Sequence, residues 1–157
     1  MTYEEALHKT AAYCSQTEHC KAEVRDKMQK WDVPADVQDA IIGYLEQENY
    51  LNQQRYALAY ARDKFRYNKW GKVRIRLELQ RKGISAEEIQ EALDMLEEEA
   101  YLEQAIELAI TKLKHLKYSD EYERDGKLYR FLAGRGFESG VIREALKRAV
   151  GSTPADE

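Results

Sequence analysis

The sequence predicts an all-α protein made of three tandem three-helix repeats. Glycine and proline are scarce, with 8 and 2 residues among 157, roughly half of the usual ~12%. So few turn-forming residues disfavour a many-stranded sandwich or barrel. Apolar residues recur at helical spacing through most of the chain, and one apolar pattern returns after 51 residues and again after 53. A helical pattern with such a period is typical of stacked helical units.

The repeated pattern consists of an apolar residue, a two-residue turn and two later apolar positions. The second and third copies share all offsets, and the first is one residue shorter. The three copies are Met28, Asp32-Val33, Val37 and Ile41; Leu79, Gly83-Ile84, Ile89 and Leu93; and Leu132, Gly136-Phe137, Ile142 and Leu146. We predict repeats over 1–48, 49–99 and 100–150, followed by a disordered tail over 151–157.

In the first repeat we predict helices over 2–14, 20–31 and 34–48. Cys20 and Glu23 have the spacing of a capping box, although with a thiol in place of a hydroxyl. Pro34 suits the first turn of the third helix. Val37, Ile41 and Leu45 then recur at intervals of four, which places them on one helical face.

In the second repeat we predict helices over 52–68, 71–82 and 86–97. Between Val73 and Leu79 apolar and charged residues alternate with the period of a strand. We nevertheless predict a helix, because no second alternating run could pair with a lone strand and satisfy its backbone groups. Gly83 can take the left-handed conformation that closes a helix, and Ser85 to Glu88 form a capping box for the next one.

In the third repeat we predict helices over 100–116, 120–134 and 139–150. Leu102, Ile106 and Ala109 form the apolar stripe of the first helix. Gly136 closes the second helix as Gly83 does in the preceding repeat, and the following apolar residue is expected to pack back on it. Val141, Ala145 and Ala149 define the last helix.

Charge is unevenly distributed along the chain. The net charge is −4, which argues against a uniformly basic nucleic-acid binder. Residues 62–82 nevertheless hold nine Lys or Arg against two acids, a net +7, whereas residues 86–107 hold nine acids and no Lys or Arg. Tyr67 and Trp70 interleave with the basic residues. The pattern indicates either solvated helix faces or a basic binding surface, with Trp70 either an exposed anchor or part of the core.

Catalytic and metal-binding patterns are not evident in the sequence. Cys14, His19 and Cys20 match no usual zinc spacing and lack an evident fourth ligand. No phosphate loop, nucleophile elbow or dinucleotide fingerprint occurs. We therefore expect a non-enzymatic protein without metal, cofactor or small-molecule substrate. The longest stretch free of charged residues and histidine is 10–17, so we expect no membrane span and a cytoplasmic location.

A helix followed by Gly-Ile-Ser and a capped helix is similar to a helix-turn-helix. In the second repeat, however, the recognition helix would carry Glu87, Glu88 and Glu91 and no positive charge. DNA phosphates would repel this helix. Major-groove recognition by repeated helix-turn-helix units is therefore disfavoured.

Three phrases together resemble the RecX family over about residues 5–148. They are NYLNQQRYA at 49–57, GKVRIRLELQRKGIS at 71–85 and RGF at 135–137. The resemblance implies an elongated, curved array of three three-helix repeats. It also implies a regulator that binds in the groove of the RecA–DNA filament and inhibits ATP hydrolysis and strand exchange by the RecA recombinase, in recombination and DNA repair.

The matching motifs and the run of basic residues around them supply the expected partner-binding residues. These residues are Arg62, Arg66, Lys69, Trp70, Lys72, Arg74, Arg76, Lys82 and Arg135. We expect a monomer whose partner is the RecA–DNA filament, with at most weak contact to DNA itself. Two alternatives remain open at this stage: a generic helical-repeat adaptor for another protein, and an independent DNA-binding protein.

Overall fold

The computed structural model describes residues 1–151, and over that range it contains nine α-helices and no strand. The helices are α1 (Tyr3–Gln16), α2 (Lys21–Lys30), α3 (Ala35–Gln47), α4 (Gln53–Arg66), α5 (Lys72–Arg81), α6 (Ala86–Asp94), α7 (Glu98–His115), α8 (Glu121–Gly134) and α9 (Ser139–Gly151). The all-α prediction is confirmed, and each helix begins and ends within three residues of its predicted limits. Gly151, expected in the tail, ends α9; residues 152–157 lie outside the described part of the chain.

Helix α5 resolves the ambiguous alternating segment. Ile75 and Leu79, four residues apart, are fully buried, whereas Val73 is 52% exposed and Leu77 46% exposed. Two of the four apolar residues therefore face the core and two face outward. Residues four apart share one face of a helix, so Ile75 and Leu79 lie on one face and Val73 and Leu77 lie on another. The alternating sequence is therefore compatible with a helix.

The helix-ending turn recurs in the three copies of the pattern. In each copy the apolar residue after the turn donates its backbone N–H to the carbonyl five residues earlier: Val33 to Met28 at 3.0 Å, Ile84 to Leu79 at 3.1 Å, and Phe137 to Leu132 at 3.1 Å. The residue before each donor is left-handed, with φ of 57° at Asp32, 79° at Gly83 and 99° at Gly136. This hydrogen bond and left-handed residue define a Schellman motif, so the predicted glycine caps are confirmed.

The predicted helix starts also have a structural basis. The Glu88 backbone N–H donates to the Ser85 hydroxyl at 3.2 Å, as a capping serine requires. The Cys20 backbone N–H donates to the Glu23 carboxylate at 3.1 Å, which is the carboxylate half of a capping box. Pro34 stands immediately before α3.

The chain packs as two compact units. The first comprises residues 1–60 and 78–92, and the second comprises 61–77 and the described chain from Leu93 onward. The core of the first unit is built on α1, α2 and α3, around Val24, Met28 and Ile41. This division distributes α4, α5 and α6 between the units, so the repeat boundaries at 48 and 99 stay a prediction.

The core of the second unit combines small and large side chains. Alanines 105 and 109 of α7 and alanines 145 and 149 of α9 are at most 1% exposed, and small residues allow helices to approach closely. Tyr101, Leu132, Phe137 and Ile142 complete this core. Within residues 1–151, every helix is too short or too polar to span a lipid bilayer.

Candidate functional site

Most of the expected partner-binding residues lie in the second unit. Those residues are Arg62, Arg66, Lys69, Trp70, Lys72, Arg74, Arg76 and Arg135. Lys82 belongs to the first unit, where its ammonium lies 3.5 Å from the Glu23 carboxylate. The residues from Arg62 to Arg76 are called the basic segment below. It comprises the end of α4, the connecting loop and the first turns of α5.

Trp70 is the aromatic centre of the basic segment. The guanidinium carbon of Arg74 lies 4.2 Å from the ring centroid, and Nζ of Lys64 lies 4.9 Å from it. A cation at this distance from an indole is attracted to the ring. The Trp70 backbone N–H also donates to the Lys64 carbonyl at 3.1 Å. Trp70 is half-buried, which is intermediate between the exposed anchor and the core residue that the sequence allowed.

The start of α5 is capped by residues distant in sequence. The first N–H groups of a helix have no intrahelical acceptor and need other partners. The Gly71 N–H donates to the Arg135 carbonyl at 2.8 Å, and the Val73 N–H donates to the Gly136 carbonyl at 2.9 Å. The Lys72 N–H donates to the Tyr101 hydroxyl at 2.8 Å. The Gly-Lys and Arg-Gly-Phe phrases are thus in direct contact.

Tyr101 connects three elements of the second unit. It is 3% exposed, and its hydroxyl donates to the Glu138 carboxylate while accepting from Lys72. Burial, and then the hydrogen bond to Glu138, raises the pKa of Tyr101 above its ordinary value. Nζ of Lys72 lies 4.7 Å from the Tyr101 ring centroid. Lys72 therefore contributes to the packing of this unit as well as to its positive charge.

Arg135 holds the loop that precedes α5. Its guanidinium donates to the Asn68 carbonyl at 2.8 Å, and its own carbonyl accepts from Gly71. These contacts fix both ends of the loop between Asn68 and Gly71. Arg135 thus has a structural role beside the binding role expected from the sequence.

Arg62 and Arg66 occupy a different environment from Trp70. Both line a cleft of about 420 Å³ whose lining also includes Glu97, Glu103 and Glu107. Acids therefore border these two arginines, whereas Lys64 and Arg74 contact the Trp70 ring. Lys69 is exposed and has a left-handed φ of 58°.

Sequence reasoning did not single out Lys64, Tyr101 or Glu138. Lys64 was visible as a member of the basic run, but nothing distinguished it from its neighbours. Tyr101 is the lone aromatic residue in the acidic run 86–107, which is a weak signal. No local signal linked Glu138 to Tyr101, because 36 residues of chain separate them.

The cysteines lie away from any recognisable ligand set. Among residues 1–151, no group of three or more His, Cys, Asp or Glu side chains could hold a metal ion. Cys14 and Cys20 are buried, and burial raises the pKa of the Cys14 thiol to about 11, which disfavours the thiolate that zinc requires. His19 stacks on Tyr13 and shares a 3.2 Å hydrogen bond with Glu23. The expectation of a metal-free protein stays a prediction.

The fold and the basic segment define the class of the protein. It is an all-α repeat protein in which residues distant in sequence cap the basic helix α5. A family model described as "RecX, second three-helix domain" matches residues 52–93, and one described as "RecX, third three-helix domain" matches residues 98–146. Together the two models match more than half of the chain. The chain belongs to the RecX family of regulatory proteins.

Individual relatives agree with this family. The regulatory protein RecX of Clostridium botulinum (strain Eklund 17B / Type B) is 33% identical over 130 residues, which are 82% of this chain and 60% of that protein. The regulatory protein RecX of Chlorobium phaeobacteroides (strain BS1) is 33% identical over 129 residues, covering 82% of this chain and 83% of that protein. The chain therefore spans about 60% of the length of the Clostridium botulinum relatives it matches.

Solved structures share the fold. RecX from Lactobacillus salivarius has a TM-score of 0.86 at 22% identity, covering 94% of this chain and 96% of that chain. A second crystal structure of regulatory protein RecX has a TM-score of 0.84 at 24% identity, covering 92% of this chain and 73% of that one. These similarities confirm the all-α repeat fold.

Proposed function

We propose that the protein binds the RecA–DNA filament and inhibits ATP hydrolysis and strand exchange by RecA. The family membership supports a regulatory role, and the resemblance of the sequence motifs supports RecA as the partner. The contact surface comprises the basic segment around Trp70 and α5. The protein acts in the cytoplasm as a monomer, without catalysis, metal or cofactor.

The position of the charges on α5 carries this proposal. Lys72, Arg74 and Arg76 occupy the first turns of the helix, where no acidic residue is present. The positive end of the helix dipole lies at the N-terminus, so cations there are less favourable than acids. The helix dipole therefore gives no reason for these three charges, although Lys72 and Arg74 also contact aromatic rings within the fold. An anionic partner, such as DNA phosphate or an acidic protein surface, supplies one.

Trp70 and its neighbouring side chains form a suitable anchor for a protein partner. The ring of Trp70 contacts Lys64 of α4 and Arg74 of α5, and the outward face of α5 presents the exposed Val73 and Leu77. Aromatic residues and arginines dominate the energetics of protein interfaces. A prearranged tryptophan beside apolar and basic groups suits a protein partner that also carries negative charge.

The test is the RecA ATPase on single-stranded DNA, measured against increasing concentrations of this protein. In the Arg74→Glu/Arg76→Glu variant, two attractive charges become repulsive. Each such contact contributes about 1 kcal/mol or less, so we expect the concentration for half-maximal inhibition to rise about tenfold to a hundredfold. Lys72 is left unchanged because its ammonium contacts the ring of Tyr101, a buried core residue, whereas Arg74 contacts the half-buried Trp70.

The matched control is Lys114→Glu/Lys117→Glu, which changes the charge equally at two exposed positions and should leave inhibition nearly unchanged. A folded Arg74→Glu/Arg76→Glu variant that inhibits like the parent would contradict the assigned surface. Failure of the parent to bind RecA-coated DNA would contradict the function. Tight binding to free duplex, with log affinity falling steeply with log salt at about −0.9 per phosphate, would favour the independent DNA-binding alternative.

A further inference from the structure

A small groove in the first unit combines aromatic and basic side chains. It has a volume of about 260 Å³ and is lined by residues of α1 and by the end of α2. The lining includes His8, Lys9 and Tyr13 on one side and Lys27 and Trp31 on the other. The two remaining lining residues, Ala12 and Gln16, are uncharged, so the described lining contains no acid.

Both aromatic rings are fixed by their surroundings. Tyr13 and Trp31 are half-buried and pack against the apolar core of the first unit. The Tyr13 ring also stacks on His19, with 3.6 Å between the ring centroids and 16° between the planes. Fixed rings lose little conformational entropy when a flat ligand stacks on them. The groove therefore offers a preformed platform.

A lysine lies over each ring. Nζ of Lys9 is 5.4 Å from the Trp31 ring centroid, and Nζ of Lys27 is 5.2 Å from that of Tyr13. Over the described residues neither lysine forms an ion pair. The nearby Asp26 pairs with Lys30, and Glu23 pairs with His19 and Lys82. Two ammonium groups without a carboxylate partner thus border a groove whose walls are aromatic.

We propose that this groove binds one base of single-stranded nucleic acid together with its flanking phosphates. The base stacks on Trp31 in the place now covered by the Lys9 ammonium, and Lys9 and Lys27 pair with the phosphates on either side. Aromatic platforms beside cations are the general means of binding single strands without sequence preference. A volume of this size is below that of a drug-sized ligand pocket and suits a single unpaired base.

An acidic peptide is the competing occupant. Its carboxylates would pair with the lysines but would make no use of a flat ring face. The aromatic walls therefore favour a nucleobase. The groove lies outside the basic segment and requires no recombinase, so this site goes beyond the proposed function and can be tested without RecA.

The protein has two tryptophans and 11 tyrosines, so in a Trp70→Phe background fluorescence excited at wavelengths that only tryptophan absorbs reports on Trp31 alone. Titration with a short oligothymidylate should quench this fluorescence as the base stacks. Since single strands show a slope of about −0.7 per phosphate contact, two phosphates predict a slope of about −1.4 in log affinity against log salt.

Two variants and one control sharpen the test. Lys9→Gln/Lys27→Gln should weaken binding and flatten the salt dependence. Trp31→Leu, followed by anisotropy of a labelled oligonucleotide, should weaken binding about five- to 150-fold, because stacking on a protein ring is worth ~1–3 kcal/mol per base. Lys112→Gln/Lys114→Gln is the matched control, since Lys112 lies 5.1 Å from the Phe131 ring centroid, and it should bind like the parent.

The outcomes separate the alternatives. Quenching by oligothymidylate, with much weaker binding of an abasic strand of the same length, supports the base site. Equal binding of the abasic strand overturns it, because only charge would then be recognised. Absence of quenching, or equal quenching by an oligoglutamate peptide, also overturns it. If Trp31→Leu does not fold, unchanged binding by the folded Lys9→Gln/Lys27→Gln variant decides against the site.

Discussion

Gly71 and Gly136 approach so closely that a Cβ on Gly71 would lie 2.3 Å from the carbonyl carbon of Gly136. A Cβ on Gly136 would in turn lie 2.4 Å from the Cβ of Arg74. Real Cβ atoms do not come this close to other heavy atoms. These two glycines therefore allow the start of α5 to pack against the turn between α8 and α9, in addition to the capping role of Gly136.

We expect Gly71→Ala to lower the free energy of unfolding by about 1–3 kcal/mol, the usual cost of overpacking. Gly43→Ala is the control: Gly43 lies inside α3 and a Cβ there meets no atom within 4 Å. That change should stabilise by up to ~1 kcal/mol, because alanine has the higher helix propensity. Urea denaturation followed by circular dichroism measures both. Equal stability of Gly71→Ala and the parent would show that the close approach does not form.

Whether the sequence predicts a feature of this structure depends on how far apart the interacting residues lie along the chain. The helices follow from neighbours three or four positions apart, as with Ile75 and Leu79. The Schellman turns follow from Gly83 and Gly136, since the backbone conformation there suits glycine. The contact between Gly71 and Gly136 could not be predicted in this way, because more than sixty residues separate them and helical periodicity does not specify which helices pack together.

The same limit applies to the candidate site. The run of basic residues identified the segment, but its charge did not reveal that Arg62 and Arg66 border acids while Arg74 contacts Trp70. Trp70 is half-buried beside Lys64 of α4 and Arg74 of α5, and helical periodicity does not specify these contacts. Likewise, the sequence shows the positive charge of Lys72 but not the contact of its ammonium group with the Tyr101 ring.

The repeated turn predicts reciprocal effects in its first and second copies. Asp32 is left-handed at φ 57° in the position that Gly83 occupies at φ 79°, and a non-glycine residue is strained in that conformation. We expect Asp32→Gly to raise the free energy of unfolding by up to about 1 kcal/mol, and Gly83→Asp to lower it by about 1 kcal/mol. Neither change requires a steric clash, because a Cβ on Gly83 meets no atom within 4 Å.

Thermal unfolding of both variants checks this prediction. Asp32→Asn provides the control, since Asn also tolerates the left-handed region and should change stability little. If Asp32→Gly lowers the free energy of unfolding, the aspartate side chain stabilises the fold by more than the strain of its left-handed backbone destabilises it.

Tyr101→Phe should destabilise the protein at neutral pH by about 1–3 kcal/mol, because the Lys72 N–H and the Glu138 carboxylate lose a buried partner. The raised pKa of Tyr101 predicts how this difference changes with pH. Above about pH 10 the unfolded tyrosine loses its proton while the folded one retains it, so the parent loses stability as pH rises. The phenylalanine variant lacks this loss, and the gap between the two should narrow.

Urea denaturation at pH 7 and at pH 10.5 to 11, about half a unit to one unit above the ordinary tyrosine pKa, measures the gap. Tyr122→Phe is the control, because Tyr122 is 89% exposed and its replacement should change stability by less than about 0.5 kcal/mol. A gap that widens with pH would contradict the assigned direction of the Tyr101 pKa.

Trp70→Ala tests whether the tryptophan of the basic segment is a binding anchor or a support for its neighbours. If it anchors the filament, its loss should cost at least ~2 kcal/mol of binding, as for interface hot spots, and raise the concentration needed to inhibit the RecA ATPase about thirtyfold or more. Trp70→Phe keeps an aromatic face for Arg74 and should retain much of the activity. The loss of helical content should be small in both, because Trp70 lies outside α4 and α5.

The control for Trp70→Ala is Tyr122→Ala, which removes a large exposed aromatic ring from α8 and should leave inhibition unchanged. Unfolding measurements separate the two roles of Trp70, because a support would lower stability and binding in parallel whereas an anchor lowers binding far more. A Trp70→Ala variant that is as stable as the parent and inhibits RecA equally well would show that the filament does not contact this side chain. The contact surface would then have to be sought along Arg76 and the outward face of α5, where Val73 and Leu77 are exposed.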